Sequence, residues 1–140
     1  RFYSPGMNEQ VHERLVMVSA LKESLQAGHL RLHYQPQILG ETGRLLGVEA
    51  LARWHHPQFG QVPPSRFIAL AEESGLIEAI GEWALCEACR QMAEWRAEGI
   101  AIPTVSVNLS PLHFRNRRLP AIVGAALEAS GLPPEALTLE

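Results

Sequence analysis

Apolar and polar positions alternate along "LRLHYQPQI", residues 30–38, with Leu30, Leu32, Tyr34 and Ile38 on one face and Arg31, His33, Gln35 and Gln37 on the other. A period of two marks a strand packed on one side. "ETGR" follows as a turn, and "LLGVEALARW", residues 45–54, reads as a second strand. Upstream, residues 4–28 read as one helix, with Ser4 as N-cap, Pro5 at the first helical position and Gly28 as the stop. Beyond the second strand, "PPSRFIALAEESG" predicts a short helix opened by proline and closed by Gly75. Ile77, Ile80, Ala84, Leu85, Ala88, Met92 and Trp95 then fall on one side of a longer helix, roughly Leu76 to Glu98. "TVSVNLS" reads as a third strand, residues 117–130 as a further helix, and "ALTLE" as the start of a fourth strand.

Strands alternating with helices predict an α/β layout with a mainly parallel sheet. In the second strand, Val48, Ala50 and Ala52 oppose Glu49, Leu51 and Arg53. In the third, Val105, Val107 and Leu109 oppose Ser106, Asn108 and Ser110; in the fourth, Leu137 and Leu139 oppose Thr138 and Glu140. A sheet covered by helices on both faces wants both faces apolar. A barrel resolves the conflict, because the apolar face packs under outer helices and the polar face turns inward. In such barrels the active site lies at the C-terminal ends of the strands. Glu49, Asn108 and Glu140 would converge there.

Composition narrows the class of function. The 140 residues are 46% hydrophobic and 19% charged, an ordinary globular balance with enough chain for one core. A net charge of -3 provides no basic footprint for a nucleic acid polymer or a membrane surface. No apolar run is long enough to span a bilayer and the opening "RFYSPGMNEQ" is polar, so the expected location is cytoplasmic. Cys86 and Cys89 form a C-x-x-C, but they lie within a helical pattern with no second pair, and two small helix residues are the expectation.

Two carboxylates and an amide oxygen form a hard donor set suited to Mg²⁺ or Mn²⁺ rather than zinc. Arg53, on the same strand face as Glu49, suits a phosphate taken by its two-donor fork. The residues alone leave alternatives open. Glu49 and Arg53 can pair with each other along a polar barrel interior, and Asn108 can serve backbone groups near a strand end.

Taken in order, "YQPQI", "GVEALARW", "VPPSRFIALAEESGLI", "IGEWALCEACRQMAEW", "VSVNLS" and "LTLE" resemble the first half of an EAL domain, named for the Glu49-Ala50-Leu51 tripeptide. The resemblance implies the first half of a TIM-like (β/α)8 barrel, truncated in the fourth strand. It covers residues 22–140. Residues 1–21 are similar to the connector helix that follows a GGDEF-type domain. EAL domains are cyclic-di-GMP phosphodiesterases that yield linear pGpG. The resemblance makes Glu49, Asn108 and Glu140 ligands in a site for two Mg²⁺ or Mn²⁺ ions, and places Gln35, Leu51 and Arg53 beside the dinucleotide.

A complete barrel takes about 250 residues. The family's Asp-Asp segment and lysine, and with them the general-base position, would therefore lie beyond residue 140, and no catalytic residue is assigned here. His55 and His56 are expected in a turn before Pro57 instead. The 140 residues alone are expected to be inactive and to self-associate, and upstream GGDEF and sensor domains are expected in the parent. Two other classes compete with the enzyme: a degenerate cyclic-di-GMP receptor or interaction module, and an assembly scaffold built on open sheet edges.

Overall fold

The computed structural model describes residues 5–140, so Ser4, the expected helix cap, lies outside the described residues. These form two compact units. One takes the described part of Arg1–Arg31 together with Arg53–Ile77; the other takes Leu32–Ala52 and Glu78–Glu140.

The first unit holds helix α1 (Pro5–Ala27), the start of strand β1 (Leu30–Leu39), the end of β2 (Arg44–His56), β3 (Gly60–Val62) and helix α2 (Pro64–Ser74). Met17, Leu21 and Ser24 recur at helical spacing on α1 and are buried, as are Trp54 and, on α2, Phe67, Leu70 and Ala71. Glu13 pairs with Arg66 at 2.8 Å, and Arg14 pairs with Glu73, tying α1 to α2. All four side chains are about half exposed, so each pair contributes only about 0.2–1 kcal/mol and apolar burial does most of the holding. Trp54 is fully buried, and its indole N–H donates to Ser24 Oγ at 2.9 Å. That bond removes the cost of an unpaired buried donor.

Strand β3 was not legible in the pattern. It pairs antiparallel with β2, Trp54 opposite Val62 and His56 opposite Gly60. His55 and His56, expected in a turn, are instead the last two residues of β2. His56 Nδ1 accepts the backbone N–H of Gln58 at 3.0 Å, and the ring stacks on Phe59 with centroids 4.7 Å apart. These contacts shape the hairpin.

In the second unit the strand order is β1-β2-β4-β5, with β4 at Val105–Val107 and β5 at Leu137–Leu139. Helices α3 (Ile77–Ala97), α4 (Pro111–Arg115) and α5 (Leu119–Ser130) complete it. The turn between β1 and β2, closed by Gly43 N–H to the Leu39 carbonyl at 2.8 Å, is too short for a parallel crossover, so these two strands form a hairpin. Strands β2, β4 and β5 are parallel, with helices in their crossovers. The mainly parallel expectation holds for these three.

Val48, Ala50, Val105 and Val107 pack in one buried cluster with Leu85, Ala88 and Met92 of α3 and Ala126 of α5. The expected apolar faces of the second and third strands are therefore the helix-facing ones. Trp95, expected in the core, is half-buried and meets Tyr34 edge-on with centroids 4.9 Å apart. Ile38, expected on the packed face, is 57% exposed, close to the hairpin turn. Gly47 allows β2 to approach the lead-in to β4: a Cβ there would stand 2.7 Å from the Thr104 carbonyl oxygen. That carbonyl accepts the Val48 N–H at 2.9 Å, which helps fix the register carrying Glu49.

Candidate functional site

The parallel register puts Glu49 opposite Ser106 and Ser106 opposite Thr138. One step on, Glu140 N–H donates to the Val107 carbonyl at 3.0 Å, and Leu109 N–H donates to the Glu140 carbonyl at 2.9 Å. These two bonds bracket Asn108. They extend the ladder past the ends of β4 and β5 and make Asn108 and Glu140 neighbours across it. With period two, Glu49, Asn108 and Glu140 share the face opposite Val48, Val105 and Val107.

The Asn108 side-chain amide donates to Glu49 Oε2 at 2.9 Å. Against an ionised carboxylate only the NH₂ end can bond, so the Asn108 Oδ1 stays available as an acceptor. Glu49 is half-buried, while Asn108 and Glu140 are exposed. The face is thus open and lined by oxygen. Asn108 was expected within the third strand, yet β4 ends at Val107 and Asn108 begins the loop that leads to α4.

Gln35 lies on β1 with its side chain exposed, on the face opposite Leu32 and Tyr34. Leu51 is half-buried, two residues past Glu49 on β2. Arg53 is also half-buried and belongs to the other unit, two residues further along the same strand. Tyr34 points to the helix side. Burial and the Glu87 carboxylate hold its phenol above the usual range, and among the described residues its hydroxyl meets no hydrogen-bond partner.

Other candidate chemistry falls away on geometry. Cys86 and Cys89 are free thiols, and burial pushes Cys89 up to about 11 and Cys86 above its ordinary value. A reactive or metal-binding pair needs the opposite shift. Among the described residues, no group of three or more His, Cys, Asp or Glu is placed to hold a metal. No helix among them is long and apolar enough to cross a membrane.

Sequence reasoning missed α4 and the residues that build it. Ser110 caps this helix, Pro111 occupies its first position, and His113 closes a capping box with Ser110. The available signal was "SPLH", a Ser followed by Pro and, three residues on, a side chain able to accept the cap N–H.

Parallel strands with covering helices, and oxygen donors at their carboxyl ends, define a barrel-type α/β scaffold. The EAL domain family matches residues 18–140, and the chain belongs to that family. It is 59% identical over 140 residues to the oxygen sensor protein DosP of Escherichia coli, covering 100% of this chain and 18% of that protein. It is 45% identical over 139 residues to the bifunctional diguanylate cyclase/cyclic di-GMP phosphodiesterase MucR of Pseudomonas aeruginosa, covering 99% of this chain and 20% of MucR. The solved structure of the PaMucR phosphodiesterase in its c-di-GMP complex superposes with a TM-score of 0.83 at 47% identity, over 87% of this chain and 49% of that one. The chain therefore spans about a fifth of the length of these curated relatives. Its fold is part of the TIM-type barrel of EAL domains.

Proposed function

We propose that the chain is the N-terminal half of a metal-dependent cyclic-di-GMP phosphodiesterase that hydrolyses one phosphodiester of the ring to give linear pGpG. The observation that carries this reading is the Asn108 to Glu49 bond at 2.9 Å on a face shared with Glu140. It holds the Asn108 amide by its NH₂ end, so that Oδ1 and the two carboxylates form a donor set that fits Mg²⁺ or Mn²⁺. Glu49, Asn108 and Glu140 are the proposed ligands. When bound, a pair of such ions supplies Lewis-acid stabilisation of phosphoryl charge and lowers the pKa of the attacking water. The side chains do the rest of the work: Asn108 orients Glu49, Arg53 grips a phosphate, Leu51 provides an apolar contact, and Gln35 adds a polar contact to the dinucleotide.

In the same reading, residues 1–21 connect to a GGDEF-type domain with a sensor upstream, residues 22–140 open the EAL domain, and the protein works in the cytoplasm as a homodimer or other self-associated form. The chain's match to MucR, a bifunctional diguanylate cyclase/phosphodiesterase, supports the GGDEF-type neighbour.

Arg53→Lys tests the phosphate contact. Charge is retained, but lysine cannot reproduce the planar two-donor fork. In the full-length protein the variant is expected to raise the KM for cyclic-di-GMP about tenfold, roughly the 1.4 kcal/mol of one charge-assisted hydrogen bond. Kinetics and calorimetric titration equal to the parent would make Arg53 a purely structural residue.

A further inference from the structure

The loop that carries Asn108 is short and Asn108 itself is exposed, yet its amide has to meet Glu49 within hydrogen-bond distance. On the strand side the two backbone bonds to Glu140 hold it. On the other side the chain turns at once into α4, a helix of five residues, too short to be stable on its own propensity. Something else must fix residues 108–110.

His113 fills that role. Its side chain is buried, with 5% exposure, and its Nδ1 accepts the backbone N–H of Ser110 at 2.8 Å. The His113 N–H donates in return to the Ser110 carbonyl at 2.9 Å, and Leu112 N–H donates to Ser110 Oγ at 3.3 Å. The peptide entering Ser110 is therefore locked two residues after Asn108. The ring is itself held, because its Nε2 edge lies where a side chain on Gly81 of α3 would be: a Cβ at Gly81 would stand 2.1 Å from Nε2. Gly81 is buried in the second turn of α3, where glycine is otherwise an unfavourable helix residue. Its presence there makes room for the imidazole.

We infer that His113, seated on Gly81, is a positioning residue for the oxygen-donor site: it locks the Asn108 loop so that the amide presents to Glu49. The inference rests on the metal reading above. His113 touches no reacting atom in this account and acts only through Ser110 and the loop.

The test uses the full-length protein and reads cyclic-di-GMP hydrolysis against Mn²⁺ concentration, with thermal unfolding in parallel. H113F keeps a ring but loses the acceptor for the Ser110 N–H. It is expected to lower activity at limiting Mn²⁺ about 10- to 100-fold, the usual cost of losing a partner that orients a metal ligand, with recovery as Mn²⁺ is raised. H113N, whose Oδ1 can stand in for Nδ1, is expected to restore most of the loss, and G81A to act like H113F by displacing the ring. A merely structural role would lower the melting temperature and leave the Mn²⁺ dependence at the parental value, and that result in folded H113F overturns the inference. Should H113F fail to fold, a folded G81A with parental Mn²⁺ dependence overturns it equally. N108A separates the two claims. If N108A leaves the Mn²⁺ dependence unchanged, the metal reading itself fails; if N108A shifts it while H113F does not, only the positioning role fails.

Discussion

Glu49→Ala is expected to remove cyclic-di-GMP turnover from the full-length protein by about 100-fold or more while leaving the fold intact. The loss corresponds to roughly 3 kcal/mol of transition-state stabilisation, the scale on which a hard cation acts on phosphoryl oxygens. The substitution deletes a charged oxygen donor and the acceptor of the Asn108 amide. It leaves the packing untouched, because the neighbours Val48 and Ala50 face the buried cluster and Glu49 faces away from it. Asn108→Ala acts in the same direction and more weakly, since a neutral ligand is lost. The check is pGpG release at limiting Mg²⁺ with circular dichroism alongside. Near-parental turnover with an unchanged spectrum would remove Glu49 from the site.

Residues 1–140 expressed alone are expected to show no measurable cyclic-di-GMP hydrolysis, and to self-associate. The three proposed ligands do not include the Asp-Asp segment and lysine that the family resemblance assigns to the two-metal site and its attacking water. Strands β1 and β5 end the strand order, which leaves backbone groups free to pair with another copy. Leu39 and Leu46 flank the β1–β2 turn and are 41% and 46% exposed, and Phe114 on α4 is 56% exposed, adding apolar surface. Hydrolysis assays and light scattering on this chain, beside a version extended by about a hundred residues to typical barrel length, decide the matter. Catalysis by the short monomer would contradict the assignment of essential chemistry to residues beyond 140. An inactive extended version that still binds the dinucleotide would make the protein a receptor.

The long elements were legible because their patterns run for several periods. The face of α3 bearing Ile80, Ala84, Leu85, Ala88 and Met92 is buried as its spacing predicts, and so are Val48 and Ala50 against Glu49 on β2. What escaped was short. Strand β3 has three residues and one apolar side chain, too little to show a period, and its pairing depends on the turn that His56 and Phe59 build. Helix α4 has a single turn closed by the Ser110–His113 capping box, and His113 sits against Gly81, 32 positions away in the sequence. The alternation of Val105, Val107 and Leu109 continues through residues 108–110 although the strand has ended, because Leu109 is still buried beneath the loop. Burial set the pattern there, and hydrogen bonding set the end of the strand. The proximity of Asn108 to Glu49 followed from strand parity, whereas the direction of the amide needed the carboxylate beside it.

The most direct measurement is anomalous scattering from crystals of the full-length protein grown with Mn²⁺ and cyclic-di-GMP. The account predicts Mn²⁺ peaks within coordination distance of oxygens from Glu49, Asn108 and Glu140, about 2.0–2.3 Å as for other hard cations, with a phosphate of the dinucleotide beside Arg53. Peaks elsewhere with these three side chains unligated, in crystals whose protein still releases pGpG on dissolution, would contradict it.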